Sequence, residues 1–511
     1  MSLDPLELTV LSHAVAMIAE EMGAVLVRSA LSPNIRERRD ASAALFDASG
    51  RMIAQAAHIP VHLGAMPEAV AAVRARSPRP RDVFILNDPN HGGSHLPDLT
   101  LVEVVDIGGE VAGFTAVRAH HADVGGMSPG SMPQGATELV QEGLILPPVR
   151  LVRAGALDDD VLRLLLANVR TPIERRGDLS AQLAACAAGA AGWVALSRRL
   201  GARKLADACD ALLDYTERRV RSRLATMNGC IGRASDRLEG DGVTDADIAV
   251  VVALEVRDST LHLDFTGSAP QVAGNVNCPA AVTQSAAVFA LRTLLDDDVP
   301  TNDGIARAIT MTLPSRSAVS AEWPAAVAAG NVEMSQRIAD TILAALGDAG
   351  ADVIAQGQGT MNNVTFGGAG WTFYETLGGG QGASRHGSGP SAVHVGMSNT
   401  LNTPVESLER ATPLRVERYA VRDGSGGAGA HRGGDGVVRA YRATEPCTVT
   451  LLTERRRHAP QGVAGGDPGR QGRNLLNGTA LAAKCRVQLA AGDVVTIETP
   501  GGGGWGMKVG Q

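Results

Sequence analysis

Apolar side chains recur at helical spacing from residue 6 to residue 28, at Leu8, Val10, Leu11, Val15, Ile18, Ala19 and Met22, which predicts an amphipathic first helix. The period then shortens to that of a strand. Residues 42–47 and 51–55 flank Ala48-Ser-Gly50 and predict a β-hairpin with glycine at the left-handed turn position. Residues 82–87 read as a short buried strand, and 99–105 and 111–117 as two more, joined by a Gly108-Gly109 turn. From 158 to 228 the pattern is helical again: Leu162, Leu165, Leu166, Leu183, Leu196, Leu200, Leu205, Leu212, Leu213 and Tyr215 fit two or three amphipathic helices that serve packing or an oligomer interface. Glu239-Gly-Asp-Gly242 opens a β segment with strands at 248–256 and 260–265. Further on, Gly378-Gly-Gly380, Gly424-Ser-Gly-Gly427, Gly433-Gly434 and Gly501-Gly-Gly-Gly504 interrupt strand-like runs such as 437–441 and 494–498. These glycines mark either tight turns in a β-rich domain or loops that close on a ligand or subunit.

A chain of 511 residues exceeds what one hydrophobic core supports. The pattern predicts a mixed α/β (α+β) multidomain protein. An N-terminal α/β region spans 1–155, a helical segment 156–238, an α/β middle domain 239–410 and a β-rich, glycine-rich C-terminal domain 411–511.

Composition narrows the function classes. The net charge of -7 and the lack of a long basic stretch argue against nucleic acid as partner; Arg455-Arg-Arg-His458 reads as solvated surface. Lys204, Lys484 and Lys508 are the only lysines, which leaves little for Schiff-base or phosphate-binding work. The six cysteines are scattered without a C-x-x-C pair, so they read as isolated thiols of a reducing cytoplasm. No signal-peptide pattern and no uninterrupted apolar run of about 18 residues appears, and the expectation is a cytoplasmic protein without a membrane span. P-loop, dinucleotide fingerprint and G-x-S-x-G elbow are all missing, so ATP, if used, would be bound by a partner.

The chemistry concentrates in Asn87-Asp-Pro-Asn-His-Gly-Gly-Ser-His-Leu-Pro-Asp98 and Arg118-Ala-His-His-Ala-Asp-Val-Gly-Gly126, which hold four of the twelve histidines and three aspartates. Imidazole and carboxylate bind divalent metals and move protons near neutral pH. The turn His95-Leu-Pro-Asp98 can aim both side chains at one point. The antiparallel strand pair after it returns the chain to His120. His95, Asp98 and His120 then form a two-histidine, one-carboxylate set suited to zinc, manganese or iron(II), or else a metal-free hydrogen-bonded network. His91, His121 and Asp123 are the candidates for ligand support and catalytic proton transfer. His58 and His62 line the pocket or are structural, and Asp40 is either a salt-bridged hairpin entry or a further metal ligand.

With these segments the chain resembles the hydantoinase B / 5-oxoprolinase family, which includes B-type subunits of N-methylhydantoinases and lactamases and the corresponding subunits of ketone carboxylases. The likeness also runs through Ser32-Pro-Asn-Ile-Arg-Glu-Arg-Arg-Asp40, Ala57-His-Ile-Pro-Val-His-Leu-Gly64, Ala167-Asn-Val-Arg-Thr-Pro172, Gly330-Asn-Val-Glu-Met-Ser-Gln-Arg337, Asn399-Thr-Leu-Asn-Thr-Pro404 and Glu498-Thr-Pro-Gly-Gly-Gly-Gly-Trp-Gly506. The resemblance implies a subunit that works in a hetero-oligomer with an A-type, ATP-binding subunit. That subunit phosphorylates a carbonyl oxygen of a cyclic amide, or bicarbonate, and the B subunit completes hydrolysis or carboxylation. In carboxylase relatives the metal ligands are an H-x-x-D pair and a histidine twenty-five residues after the first, a pattern that falls here on His95, Asp98 and His120. Asp40 matches a position that approaches the metal in lactamase-type relatives. Asn90 departs from the aromatic residue usual there. The expected function is ATP-dependent opening of a hydantoin, 5-oxoproline or lactam ring. The alternatives are a ketone carboxylase subunit and a metal-free scaffold. The Gly378–Gly382 run, with His386 and His394 after it, is expected to close over the site or face the partner.

Overall fold

The computed structural model describes residues 4–57 and 59–508; His58 lies outside them. The first helix spans Pro5–Ser29, with Pro5 at its first turn and the Asp4 carboxylate accepting from the Leu6 amide. Its buried side chains Leu11, Val15, Ala19, Met22 and Leu26 follow steps of three and four, the spacing of one helical face.

That face lies on a seven-stranded antiparallel sheet made of β1 (Ala41–Asp47), β2 (Met52–Ala57), β3 (Val83–Leu86), β4 (Asp98–Ile107), β5 (Glu110–His120), β6 (Val149–Arg153) and β7 (Ala156–Leu157), in the order β2-β1-β5-β4-β3-β6-β7. Alternation along β1 divides the core. Ala41, Ala43 and Leu45 face the helices Pro5–Ser29 and Pro172–Leu200, while Ala44 and Phe46 face the helix Met66–Arg74. The expected hairpin turns are present, with φ of +80° at Gly50, +68° at Gly108 and +89° at Gly109, backbone angles that favour glycine.

The helical stretch forms Asp159–Ala167, Pro172–Leu200 and Ala202–Ala225. It ends earlier than its expected boundary, because Ile231–Glu239 is a strand, β8. The run Ile-Gly-Arg-Ala-Ser-Asp-Arg-Leu-Glu offers few apolar positions, so its strand character comes from antiparallel pairing with β9 (Asp247–Arg257). With β10 (Thr260–Asp264) and β11 (Ile309–Thr312) these make a four-stranded sheet covered by the helices Ala280–Arg292 and Ser335–Asp348. The C-terminal part holds a four-stranded and a five-stranded sheet that enclose Phe366, Tyr441, Val449 and Ile497. The helices Pro5–Ser29 and Pro172–Leu200 are long and apolar enough to cross a bilayer by length and composition; here they pack on each other and on the seven-stranded sheet. All six thiols are free.

Asp303 ties the hairpin to the second sheet unit by accepting the Met52 amide at 2.7 Å. Burial pushes its carboxyl up to about 6 against the hydrogen bond from Met52, with Asp47 adding to the rise. A raised folded-state pKa means that stability is fully present below the unfolded value near 4 and is lost as pH climbs through about 6. The Asp303→Asn variant never ionises. Its stability relative to wild type should therefore rise by on the order of 2 kcal/mol between pH 4 and 6 and then level off. Urea titrations across that range test this, and a flat difference contradicts it.

Candidate metal centre

Asp98 is the first residue of β4 and His120 the last of β5, and the two are direct partners in the antiparallel register. His95 joins them through the turn closed by the Asp98 amide on its own carbonyl at 3.1 Å. His95 Nε2 lies 3.0 Å from Asp98 Oδ1, His120 Nδ1 lies 3.1 Å from the same oxygen, and the two ring nitrogens are 3.2 Å apart. The three side chains are buried, with exposures of 0%, 1% and 2%.

Hydrogen bonding fixes what those atoms offer. His95 Nδ1 is 3.0 Å from the Ala328 carbonyl, which can only accept, so in the neutral ring Nε2 carries the lone pair. That lone pair faces a carboxylate oxygen and a second imidazole nitrogen. Donors about 2.1 Å from a common ion sit roughly 3.0–3.4 Å apart, so this triangle fits one cation. His120 Nε2 has no partner among the described residues. The other oxygen of Asp98 is held from three sides, by Ser94 Oγ at 2.5 Å, Asn331 Nδ2 at 3.1 Å and His62 Nε2 at 3.3 Å. Burial alone would raise the Asp98 carboxyl, but His95, His120 and His62 outweigh it and hold the group well below the usual carboxylate range. Burial would lower His95, yet Asp98 raises it; His120 is lowered by burial.

The remaining candidates differ in how near they stand to these three. His91 is half-exposed and pairs with Asp88 at 2.7 Å. Strand alternation turns His121 away from His120, toward the helix Pro172–Leu200, where its Nε2 meets Gln182 Oε1 at 2.9 Å. Asp123 clamps a loop, accepting the amides of Gly125, Gly130 and Arg170 and the Arg170 guanidinium. Asp40 adjoins the centre: its side chain is 3.6 Å from Arg38, its charge acts on both His95 and His120, and its backbone carbonyl accepts the His120 amide at 3.0 Å. His386 is exposed beside Asp352, and half-buried His394 bonds Ser398 at 2.8 Å. The Gly378–Gly382 run is packed into other glycine loops.

Three contributors were not anticipated. Ser94 and Asn331 orient Asp98, and Tyr374 stacks on the His120 ring with centroids 4.4 Å apart. Asn331 sits in Gly330–Met334, a π-helical turn leading into an α-helix, an irregularity common at functional sites.

A family model described as Hydantoinase B/oxoprolinase matches residues 4–508. The chain belongs to the hydantoinase B/oxoprolinase family. 5-Oxoprolinase 1 of Arabidopsis thaliana is 36% identical over 538 residues, covering 99% of this chain but 42% of that protein. This family member thus spans about two fifths of the length of that relative. The crystal structure of the ATP-dependent caprolactamase from Pseudomonas jessenii superposes with a TM-score of 0.93 at 27% identity, covering 99% of this chain and 92% of that one. A nucleotide-free acetone carboxylase shares the fold, with a TM-score of 0.86 at 18% identity over 98% and 76% of the two chains. The family is one of ATP-dependent cyclic amide hydrolases, and His62, Ser94, His95, Asp98, His120 and Asn331 fall in the motifs that carried this member's resemblance to it, whereas Tyr374 lies outside them.

Proposed function

We propose that this chain is the B-type subunit of a cytoplasmic ATP-dependent cyclic amide hydrolase. It completes the ring opening of a hydantoin, 5-oxoproline or lactam that an A-type partner has phosphorylated. The observation that carries this reading is the convergence of His95 Nε2, Asp98 Oδ1 and His120 Nδ1 in a chain of this family. These three side chains would hold a divalent zinc, manganese or iron ion, which supplies positive charge to polarise a carbonyl or phosphoryl oxygen.

The protein's part is positioning. Ser94, Asn331 and His62 hold one oxygen of Asp98 so that the other faces the imidazoles. Ala328 sets the His95 tautomer, and buried Glu142 pins that loop by accepting the Val327 and Ala328 amides at 3.0 and 2.9 Å. Tyr374 fixes the plane of the His120 ring. Burial of the whole set excludes bulk water from an activated substrate. Phosphorylation of the amide oxygen makes a leaving group that an unactivated lactam lacks, which is why ATP and a second subunit are needed.

Ring opening of 5-oxoproline, hydantoin and caprolactam should require both the A-type partner and ATP. Product formation with this chain alone and without ATP would refute the reading. Incorporation of labelled bicarbonate into a ketone would assign the carboxylase chemistry instead.

A further inference from the structure

Away from the histidine centre, a cleft of 580 Å³ opens beside the C-terminal glycine loops, and four of its eight lining residues are arginines: Arg422, Arg456, Arg470 and Arg473. Its volume lies in the range of small-molecule sites. One carboxylate, Glu498, serves two of them, at 3.2 Å from Arg422 and 2.7 Å from Arg473. Arg422 also donates to the Gln471 and Thr499 carbonyls, and Arg456 to the Glu454 carbonyl and Asn474 Oδ1. These contacts lock two guanidinium groups in the wall, Arg422 with one carboxylate partner and Arg456 with neutral hydrogen-bond partners alone. Arg470 is exposed and has no carboxylate within 4 Å among the described residues.

The arginines feel one another. Burial lowers Arg422 against the pull of Glu498, and Arg473 and Arg470 lower it further. Desolvation takes Arg456 down to about 10 against three glutamates, and Arg422 adds to the fall. Four like charges face one concave space; Glu498 serves two of them and three buried glutamates act on Arg456, which leaves exposed Arg470 as the charge that a compact anion would relieve. Guanidinium forks match tetrahedral oxyanions with paired N–H donors. Gly469 and Gly472 line the same space and add no side chain to it.

We propose that this cleft binds a phosphate-class oxyanion through Arg470, Arg473, Arg422 and Arg456, as a site separate from the His95–Asp98–His120 centre. The ligand is inorganic phosphate or the phosphate end of a nucleotide. Concavity and charge density favour such a compact anion over an acidic protein segment.

Calorimetric titration of the purified chain with inorganic phosphate and with ADP tests this. One saturable site is expected for at least one of them, weakened about tenfold by Arg470→Ala, the scale of one lost charge-assisted hydrogen bond. Arg470→Lys should recover part of that loss, and both variants should melt with wild type because Arg470 is exposed. ADP binding tighter than phosphate identifies a nucleotide source, and equal affinity identifies free phosphate. No saturable binding of either, or unchanged affinity in Arg470→Ala and in an Arg470→Ala/Arg473→Ala pair, overturns the proposal. Binding only of an acidic peptide also overturns it. The assay uses neither partner nor cyclic amide, so its failure leaves the ring-opening reading intact.

Discussion

The Asp98→Asn variant should fold, bind metal on the order of 100-fold or more weaker than wild type, and lose partner-dependent ring opening. The reason is the direction of the surrounding donors. Ser94 Oγ and Asn331 Nδ2 donate to one oxygen of Asp98 and His62 Nε2 meets that same oxygen, so an asparagine carbonyl would take that side. Its amide nitrogen would then face His95 Nε2 and His120 Nδ1, which lie 3.0 and 3.1 Å from the present oxygen. Two N–H groups would occupy the directions a cation needs while satisfying the buried lone pairs. Asp98→Ala differs: it strands several buried donors, each at about 1–3 kcal/mol, and should destabilise the fold severely. Metal content after dialysis against zinc, manganese and iron(II), read beside melting temperature, separates the two variants. Wild-type metal content in Asp98→Asn would refute ligation by this carboxylate. A wild-type chain that takes up none of the three ions would favour the metal-free network.

How much of this centre can be read from the chain follows the range of the interactions. The β4–β5 pair is local, and an alternating pattern on either side of Gly108-Gly109 fixes its register closely enough to bring Asp98 opposite His120. The first helix and the hairpin are legible for the same reason. The choice between His120 and His121 is less so, because it depends on which face of β5 meets the long helix, a packing fact set by Gln182 some sixty positions on. Asn331 and Tyr374 reach the site from 233 and 254 residues beyond Asp98 and His120, and no spacing rule links them. Asn331 has one signal, its place in the family-like segment Gly330–Arg337, and Tyr374 has none. Arg455, read as solvated surface, is buried and bonds Asp236 at 2.8 Å and Asp340 at 3.1 Å, partners more than one hundred positions away. A basic run shows charge, and only the fold shows the carboxylates that neutralise it.

The glycine runs carry the other large expected effect. They are not independent turns: Gly380 donates to the Pro500 carbonyl at 3.0 Å, Gly434 to Gln381 at 2.8 Å, Gly502 to Gly434 at 2.9 Å and Gly427 to Gly502 at 2.8 Å. Three segments far apart in sequence thus stack backbone on backbone, an approach that only residues without Cβ permit. A Cβ on Gly380 would overlap the Gly434 carbonyl oxygen and the Gly502 nitrogen, and one on Gly502 would overlap the Gln381 carbonyl. Neither neighbour is a side-chain tip that can swing aside; each is a main-chain atom already engaged in a hydrogen bond, so relief means breaking the stack. Gly380→Ala and Gly502→Ala should each cost at least about 3 kcal/mol. Gly387→Ala is the matched control, since nothing lies within 4 Å of its added methyl, and it should stay within about 0.5 kcal/mol of wild type. Urea unfolding of the three variants checks the difference. Gly380→Ala and Gly502→Ala unfolding together with Gly387→Ala would mean that the runs are ordinary turns and that the stack does not hold the C-terminal sheets in place.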